Sequence, residues 1–488
     1  MKINRVAIVR VVFFLLIVFI SFCSVHKELQ NDTFYMIKLG DYIVRHGIDM
    51  KDHWVWVYNL SYTYPHWLYD VFIYFIFNFF GFLGVYLSAL ISYIVLLIVF
   101  YYVNYSLNKR EFLSMFSTLV LSLTLSFVAT ARAQVFSYII FLFEIYYMFN
   151  LISNGKKINI VMLCFLSLLL ANIHATVWLF FFILFLPFFG EQFIYYLKNK
   201  YKFKGNSKLI IGKINYFRYL LISFILSFIM GLFTPSRICY SYVFRIMLGD
   251  SQKYILEHQP LIVIMNPMFI GILLLLLIVL IFSKTKIKTH ELFMFCGLVF
   301  MSLLSFRHIV FFYLIGSLFV SIIVMRYFVE KKDNTLDLLF NLLVKKWYLC
   351  LCVLAIVIPI GIFNYSNKRD DYINKKEYPV DAVKFIKKEL DYKNIRLFNT
   401  YNYGSYLMLN DIPIMIDSRC DLYLKEFNNG VNIFDDVVNI KSNYKDIFDK
   451  YNVNYVLIKN DDYLYELLSR DIDGSLYSDK YFTLFKYS

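Results

Sequence analysis

Residues 5–22 read RVAIVRVVFFLLIVFISF, an apolar run with basic residues only in its first part. A run of about 20 apolar residues is long enough to cross the hydrocarbon core of a bilayer as a helix. Similar runs recur through the first three quarters of the chain, and 60% of its 488 residues are hydrophobic. The mean hydropathy of +0.59 excludes an ordinary soluble protein. The sequence therefore predicts a multi-spanning, all-α membrane protein.

The apolar runs predict about eleven transmembrane helices. We place them at 6–24, 85–107, 112–130, 134–152, 159–172, 174–190, 217–234, 266–283, 290–306, 308–328 and 347–364. The apolar stretch 67–80 is too short for a full crossing, so we predict an interfacial or re-entrant helix there. Residues 1–364 form the predicted transmembrane domain, with 25–84 as its first outer loop. In 365–488, helix-like and strand-like stretches alternate, which predicts a small α/β domain.

Basic residues mark one side of the predicted membrane. Clusters of basic residues follow every second predicted crossing and therefore lie on the same side as the N-terminus. They include Lys109 with Arg110 and Lys156 with Lys157. The positive-inside rule assigns that side to the cytoplasm. An odd number of crossings then puts 365–488 outside the cell membrane. The net charge of +14 lies mainly in these inner loops, where topology and anionic lipids explain it without nucleic acid.

The turns on the other side of the predicted membrane contain polar side chains at the ends of the apolar segments. Ionisable groups so close to a bilayer are costly, and they commonly mark a functional site. We therefore predict an active site on the outer face, from residues in this set: Asp32, Asp52, His53, His66, Asp70, Arg132, Gln134, Asn172, His174, Glu257, His258, Arg307 and His308.

Asp32 is the leading candidate for a general base. Transfer of a sugar to a hydroxyl needs a carboxylate that takes the proton and a cationic group or metal that stabilises the leaving phosphate. Asp32 begins the first outer loop, where a lipid-linked donor would present its phosphate. The structural alternative is a helix N-cap, whose loss would cost about 1 kcal/mol of stability without affecting chemistry.

The first loop also holds two acid and imidazole pairs, Asp52 with His53 and His66 with Asp70. His66 and Asp70 are four residues apart and would share one helix face. These groups, together with Gln134, Asn172, Glu257 and His258, are candidates for acceptor contacts or for support of the site. The structural alternative is that they bond to one another or tie neighbouring helices together.

Cationic side chains at three predicted helix ends suit a donor phosphate. Arg132, His174 and the pair Arg307 and His308 each lie at the outer end of a predicted span. Guanidinium groups bind phosphate oxygens with paired, charge-assisted hydrogen bonds. The alternative for each residue alone is an interface anchor whose charged end reaches towards water. Taken together, Arg132 and Arg307 favour phosphate binding, with His308 and His174 as additional candidates.

Several short motifs resemble a bacterial branch of the GT-C superfamily, the multi-spanning glycosyltransferases that use polyprenyl-phosphate sugars. They include Asp32-Thr-Phe-Tyr, Trp67-Leu-Tyr-Asp70, Arg132-Ala-Gln134, Asn172-Ile-His174 and Arg307-His308. In the last segment, Asn402-Tyr-Gly404 and Asp417-Ser-Arg419 are similar to the C-terminal part of the same branch. The resemblance extends over nearly the whole chain.

The resemblance implies a GT-C-like bundle in which Asp32 is the loop-one general base. It also implies a polyprenyl-phosphate sugar as donor and a cell-envelope glycan, lipid or protein as acceptor. Many enzymes of this superfamily have two adjacent acidic residues in this loop, whereas Asp32 lies between Asn31 and Thr33. A divalent cation, Mg²⁺ or Mn²⁺, therefore stays an open cofactor, with Asp52 or Asp70 as sources of a second carboxylate.

Together these features predict an inverting membrane glycosyltransferase that acts outside the cytoplasmic membrane. One rival is a polysaccharide polymerase or ligase that moves whole repeat units. Another is a non-enzymatic flippase or transporter of lipid-linked saccharides. A transporter would need polar residues along a path at mid-depth, and the predicted spans carry few charges apart from Arg10 and Glu144. Asp417 and Arg419 are predicted to form an internal ion pair rather than a catalytic one.

Overall fold

The chain is described here by a computed structural model that covers residues 4–202, 208–235, 256–282, 284–366, 371–428 and 430–487. Parts of the predicted loops 191–217 and 235–265 therefore lie outside the described residues. The chain divides into two compact units. The first contains the described residues of 4–26, 88–233 and 256–366, and the second contains 27–87, 234–235 and 371–487.

Helices dominate the described residues. In chain order they are α1 (Arg5–Ser24), α2 (Asn31–His46), α3 (Trp67–Asn108), α4 (Glu111–Thr124), α5 (Ala133–Asn154), α6 (Ile158–Ile173), α7 (Trp178–Ile183), α8 (Leu186–Tyr201), α9 (Phe217–Met230), α10 (Pro267–Phe282), α11 (Thr289–Leu304), α12 (Ile309–Phe311), α13 (Ser317–Glu330), α14 (Thr335–Lys345), α15 (Trp347–Ser366), α16 (Val380–Glu389), α17 (Gly404–Leu409), α18 (Ile433–Val438), α19 (Tyr444–Tyr451) and α20 (Tyr463–Asp471). A π-helical turn, Phe312–Gly316, joins α12 to α13.

Five helical segments in the described part of the chain are long and apolar enough to cross a membrane. They are Arg5–Ser24, Trp67–Asn108, Ala133–Asn154, Ala175–Tyr201 and Phe306–Glu330, and the pair α14 and α15, bent by 76°, makes a sixth if it is one span. The remaining apolar helices are shorter: Glu111–Thr124, Ile158–Ile173, Phe217–Met230, Pro267–Val279 and Thr289–Leu304. Every predicted crossing overlaps one of these helices, but the count of eleven stays a prediction.

Helix α3 contains a break where the sequence predicted the end of a short apolar helix. Gly81 has φ 61° and ψ −155°, so two helical stretches meet at this residue. Glycine lacks the Cβ atom that makes positive φ costly for other residues, and it is therefore suited to such a break. The stretch 67–80 thus continues into the following helix through a kink.

The first unit is a bundle of apolar helices. Helix α6 packs between α5 and α9, α8 packs on α11, and α1 packs on α15. A Cβ atom on Gly361 in α15 would lie 2.3 Å from the Phe19 ring of α1, so the two helices approach closely there. Two short parallel strands, β1 (Leu209–Ile210) and β2 (Ile287–Lys288), connect the chain segments before α9 and α11.

The C-terminal segment of the second unit contains a four-stranded sheet in the order β3-β4-β6-β5. Its strands are β3 (Leu397–Phe398), β4 (Tyr455–Lys459), β5 (Tyr477–Ser478) and β6 (Phe482–Lys486). Strand β3 runs parallel to β4, whereas β6 is antiparallel to both β4 and β5. Helix α16 packs on β5 and β6, and the buried side chains of Phe398, Phe448 and Leu484 contribute to the core.

The first loop belongs to the same compact unit as this sheet. Val55 forms a parallel bridge with Ile414, with hydrogen bonds of 3.0 and 3.1 Å on the two sides. The indole nitrogen of Trp56 donates to the Leu397 carbonyl at 3.0 Å. Residues 27–87, which the sequence assigned to the transmembrane domain, therefore share a core with residues 371–487.

Gly40 marks the closest approach of α2 and α3. A Cβ atom at this position would lie 2.1 Å from the Asp70 carbonyl oxygen and 2.5 Å from the Tyr74 Cβ. Both contacts are shorter than real Cβ atoms tolerate, and neither partner is the end of a flexible side chain. Only glycine therefore allows α2 to lie so close to the start of α3.

We expect Gly40→Ala to lower the free energy of unfolding by roughly 1–3 kcal/mol, because the added methyl group must push the two helices apart. Gly271→Ala is the matched control, since nothing lies within 4 Å of a Cβ atom there and the residue is also helical. Thermal unfolding of the purified protein, followed by tryptophan fluorescence, measures both. Equal melting temperatures for the two variants would contradict the close packing of α2 on α3.

Candidate functional site

Four of the polar side chains singled out from the sequence come together in the first unit. Nη1 of Arg132, which precedes α5, lies 3.9 Å from Oε1 of Glu257. Nη1 of Arg307 lies 3.2 Å from Nε2 of His258. A guanidinium can only donate hydrogen bonds, so Nε2 of His258 accepts and the ring proton is on Nδ1. Two consecutive loop residues thus contact two arginines that are distant in sequence.

Hydrogen bonds to main-chain carbonyls hold this loop against the turn that carries Arg307. Oγ of Ser305 donates to the Glu257 carbonyl at 3.1 Å, and the Phe306 amide donates to the Gln259 carbonyl at 2.9 Å. The Leu261 amide donates to the Leu303 carbonyl at 3.3 Å. The positions of Glu257 and His258 are therefore set by main-chain contacts as well as by their side chains.

Arg132 and Arg307 both lie near one tyrosine, Tyr138. Tyr138 of α5 is buried, and Arg307, Glu257 and Arg132 all lie within electrostatic range of its hydroxyl. Two guanidinium groups, one carboxylate and one neutral imidazole give the cluster a net charge of +1. Such a cluster suits an anion with several oxygen acceptors, such as a phosphate. The sequence did not single out Tyr138, because a tyrosine inside an aromatic-rich helix carries no distinguishing pattern.

The imidazole of His258 stays neutral under ordinary conditions. Burial, together with the nearby positive charge of Arg307 and the adjacent His308, lowers the pKa of His258 to about 4. The neutral ring can therefore keep accepting the hydrogen bond from Arg307 throughout the physiological range. Protonation would remove that acceptor and place two cations side by side.

This pKa predicts an acid-sensitive stability. The folded protein keeps His258 neutral down to about pH 4, whereas the unfolded chain takes up the proton near the ordinary pKa of 6.5. Stability is therefore lost as the pH falls from 6.5 towards 4, by roughly 1–2 kcal/mol at pH 5. His258→Gln, which keeps an acceptor but cannot titrate, should show a smaller drop in melting temperature between pH 7 and pH 5. If the melting temperatures of the parent protein and of His258→Gln fall equally between pH 7 and pH 5, the pKa of His258 is not lowered by folding.

The remaining candidates of the first unit are tied to nearby groups. Nδ1 of His308 contacts the Met301 carbonyl at 3.1 Å, and its ring packs on Phe180. His174 is buried, and its Nδ1 lies 2.8 Å from Oγ of Ser137. Asn172 donates to the carbonyls of Leu168 and Phe233, as expected for a residue that ties helices together. Gln134 is half-buried at the start of α5.

Asp32 lies in the first turn of α2, in the second unit. The helix begins at Asn31, and Gln30 before it has the extended backbone of a capping residue, with φ −84° and ψ 156°. The N-cap position considered from the sequence is therefore filled by Gln30, and Asp32 is the second helical residue. A carboxylate in the first turn is favoured by the helix dipole. Its side chain is half-buried, next to the buried Thr33 and Phe34.

The predicted pair of Asp52 and His53 is not formed. Nε2 of His53 instead lies 2.7 Å from Asp49 and 2.7 Å from the Tyr42 hydroxyl, and its ring stacks on Tyr42. Although desolvation opposes it, hydrogen bonds from Tyr42, from the Lys51 amide and from His53 lower the pKa of Asp49 to about 2. His53 keeps a side chain that is 35% exposed, so it remains accessible to an acceptor.

Asp52 forms a buried ion pair with Arg419. Its Oδ1 lies 2.7 Å from Nη1 of Arg419, and both side chains are 1% exposed. Its Oδ2 accepts the amides of Trp54 and Val55 at 3.0 and 2.7 Å. A carboxylate with these contacts holds the loop and is shielded from an acceptor. Sequence reasoning missed this link, because Asp52 and Arg419 come from opposite ends of the chain.

Arg419 also forms the internal ion pair with Asp417 that the sequence predicted. Nη2 lies 2.6 Å and Nε 2.9 Å from Oδ2 of Asp417. Although burial opposes it, the charges of Asp417 and Asp52 raise the pKa of Arg419 well above its ordinary value. The guanidinium lies 4.8 Å from the ring centre of Tyr62 and 5.7 Å from that of Trp54. Loss of one partner from such a buried group costs about 3–5 kcal/mol.

A hydrogen bond between the His66 and Asp70 side chains, one of the alternatives that the sequence left open, is not formed. Both carboxylate oxygens of Asp70 are buried and accept no hydrogen bond from any described residue. The Asp70 amide donates to the His66 carbonyl at 2.9 Å, which is ordinary helical bonding. Asp70 instead adds a third buried carboxyl to the electrostatic surroundings of Tyr62 and Arg419.

Within the residues that the structure describes, no group of three or more His, Cys, Asp or Glu side chains is arranged to hold a metal ion. Mg²⁺ is commonly held by one or two carboxylates together with waters and substrate phosphates, so the divalent cation considered from the sequence stays an open cofactor.

Comparison with known proteins gives similarity at the level of structure. No protein-family model matches the sequence, and no curated protein matches it. The apo crystal structure of the Archaeoglobus fulgidus oligosaccharyltransferase is similar, with a TM-score of 0.60 and 11% identity over 94% of this chain and 70% of that one. The same protein, tethered by a disulfide bond to an acceptor peptide containing the NVT sequon, gives a TM-score of 0.56 and 10% identity over 92% and 69%.

At such low identity the likeness concerns the fold alone. The chain is mostly helical, with membrane-length apolar helices, and its fold is similar to that of this oligosaccharyltransferase. Fold does not define chemistry, which must be argued from the side chains.

Proposed function

We propose that this protein is a membrane-embedded glycosyltransferase that moves a sugar from a polyprenyl-phosphate donor to an acceptor hydroxyl of a cell-envelope glycan, lipid or protein. The reaction takes place outside the cytoplasmic membrane, with the N-terminus in the cytoplasm and the C-terminal segment outside. The observation that carries the proposal is that Arg132 and Arg307 contact two consecutive residues, Glu257 at 3.9 Å and His258 at 3.2 Å, in a fold similar to that of an oligosaccharyltransferase.

In the proposed reaction, Arg132 and Arg307 bind the phosphate of the donor. Their present contacts, Glu257 and neutral His258, are weaker partners than a phosphate because one is 3.9 Å away and the other is uncharged. The polyprenyl chain remains among the apolar helices, so only the headgroup must reach the arginines. The positive charge of the cluster then stabilises the negative charge that develops on the leaving phosphate.

Asp32 is assigned the role of general base. Its carboxylate takes the proton from the acceptor hydroxyl while the acceptor oxygen forms a bond to the anomeric carbon. The bond from that carbon to the phosphate oxygen breaks, and its electron pair leaves with the polyprenyl phosphate. A single displacement of this kind inverts the anomeric configuration.

A second candidate function is the transfer of a whole oligosaccharide, as by a polymerase, ligase or oligosaccharyltransferase. The observation in its favour is the fold similarity to a protein named as an oligosaccharyltransferase. The two functions need the same phosphate site and differ in the size of the transferred group. Mass spectrometry of surface glycans and lipid-linked sugars in cells lacking the protein distinguishes them, because either single sugars or complete repeat units would be missing.

We expect Asp32→Asn to abolish sugar transfer while the protein stays folded, since the amide cannot accept the proton. Loss of a general base typically costs 10²–10⁴-fold in rate. Transfer is measured as formation of the glycan that is missing in cells lacking the protein, after these cells receive either variant. Asp41→Asn is the matched control, because Asp41 lies on the same helix and forms ion pairs with Lys38 and Arg45. Unchanged transfer by Asp32→Asn would remove the assignment of the base.

We expect Arg307→Met to weaken binding of the donor phosphate by about 10- to 100-fold, the usual value of a charge-assisted hydrogen bond. Binding is measured by native mass spectrometry with polyprenyl phosphate as the probe in lipid nanodiscs. Arg218→Met is the control, because Arg218 is an exposed arginine on α9 in the same unit. Equal affinities for the two variants would show that Arg307 does not bind the phosphate.

A further inference from the structure

The start of α2 is fixed by the C-terminal segment of the same unit. Asn31, the residue next to Asp32, donates a hydrogen bond from Nδ2 to the Tyr401 carbonyl at 2.9 Å. Farther along α2, Phe34 packs edge-on against Tyr406 of α17, with ring centres 5.3 Å apart. The first turn of α2, which carries Asp32, therefore depends on residues some 370 positions later in the chain.

Tyr401 continues this connection through its side chain. Its hydroxyl donates to the carbonyl of Ser418 at 3.2 Å. Its ring also packs edge-on against Phe434 at 5.3 Å, which limits its movement. One residue thus accepts a hydrogen bond from the Asp32 turn with its main chain and donates one to residue 418 with its side chain.

Ser418 is itself held within the buried ion group. It lies between Asp417 and Arg419, and the Arg419 amide donates to Oδ1 of Asp417 at 2.8 Å. Its hydroxyl oxygen lies 2.8 Å from that of Ser405. Arg419, the next residue, also pairs with Asp52 of the first loop. The main chain at Ser418 is therefore held by the first loop as well as by the C-terminal segment. A rigidly held hydrogen-bond partner can fix the position of the Tyr401 side chain.

We propose that Tyr401 is a positioning residue for Asp32, holding the first turn of α2 in register with the buried ion group of Asp52, Asp417 and Arg419. The inference rests on the proposed role of Asp32 as general base. A base must lie within hydrogen-bond reach of the acceptor hydroxyl, and small displacements strongly lower the rate of transfer. The C-terminal segment then contributes to transfer through the geometry of α2, without touching the sugar.

The test compares Tyr401→Phe with Tyr403→Phe. Both variants remove one tyrosine hydroxyl that donates to a main-chain carbonyl, since Tyr403 donates to Leu457 at 2.6 Å inside the C-terminal core. The Tyr401 carbonyl accepts a hydrogen bond from Asn31 of α2, whereas the Tyr403 hydroxyl bonds to the sheet. Both keep the aromatic ring, so both are expected to fold, and melting temperatures check this.

Initial rates are measured on the purified full-length protein in nanodiscs, with lipid-linked sugar extracted from cells lacking the protein as the donor. We expect Tyr401→Phe to lower the maximal rate per folded protein roughly fivefold to tenfold at an unchanged half-saturating donor level. Hydrogen exchange of amides 31–36 should become faster in Tyr401→Phe. Tyr403→Phe should keep both the maximal rate and the exchange of these amides at the level of the parent protein.

Equal rates and equal exchange in the two variants would overturn the positioning role of Tyr401. Asp32→Asn separates this result from failure of the proposed function. If Asp32→Asn is inactive while Tyr401→Phe matches its control, only the positioning role is wrong. If Asp32→Asn retains transfer, Asp32 is not the general base, and Tyr401 cannot act by positioning it as one.

Discussion

The burial of the Arg419 guanidinium constrains how the second unit folds. A charged group with 1% exposure is tolerated only when partners replace its hydration. Asp417 supplies one such partner from two residues away, but Asp52 must come from the first loop. The loop therefore cannot leave the C-terminal segment without exposing or orphaning three charges. This single requirement joins two parts of the chain that are far apart in sequence.

Further contacts also join the first loop to the C-terminal segment. The bridge of Val55 to Ile414 and the bond of Trp56 to Leu397 place the loop beside the sheet. Gly40 lets α2 approach α3 at Asp70, a buried carboxyl close to the same ion group. The C-terminal segment is thus part of the framework around Asp32.

In the first unit, the charges of the polar cluster determine what it can bind. Arg132 and Arg307 each carry a guanidinium group, while burial makes the neighbouring His258 neutral. The cluster therefore stays cationic although Glu257 lies beside it. Because His258 is neutral, Arg307 can exchange its hydrogen bond to this ring for a stronger one to an anion. An arginine whose acceptor can be replaced in this way suits an anion site at a helix end.

The sequence by itself determined the membrane class and the positions of the apolar helices. These follow from local properties: run length, hydropathy and the spacing of basic loops. Sequence reasoning also predicted the pairing of Asp417 with Arg419, because the two residues are almost adjacent. Only the tertiary structure decided that Asp52 pairs with Arg419, that His53 pairs with Asp49, and that Gln30 caps α2. Such contacts depend on how distant segments pack, and hydrophobic periodicity carries no information about which buried charges will meet.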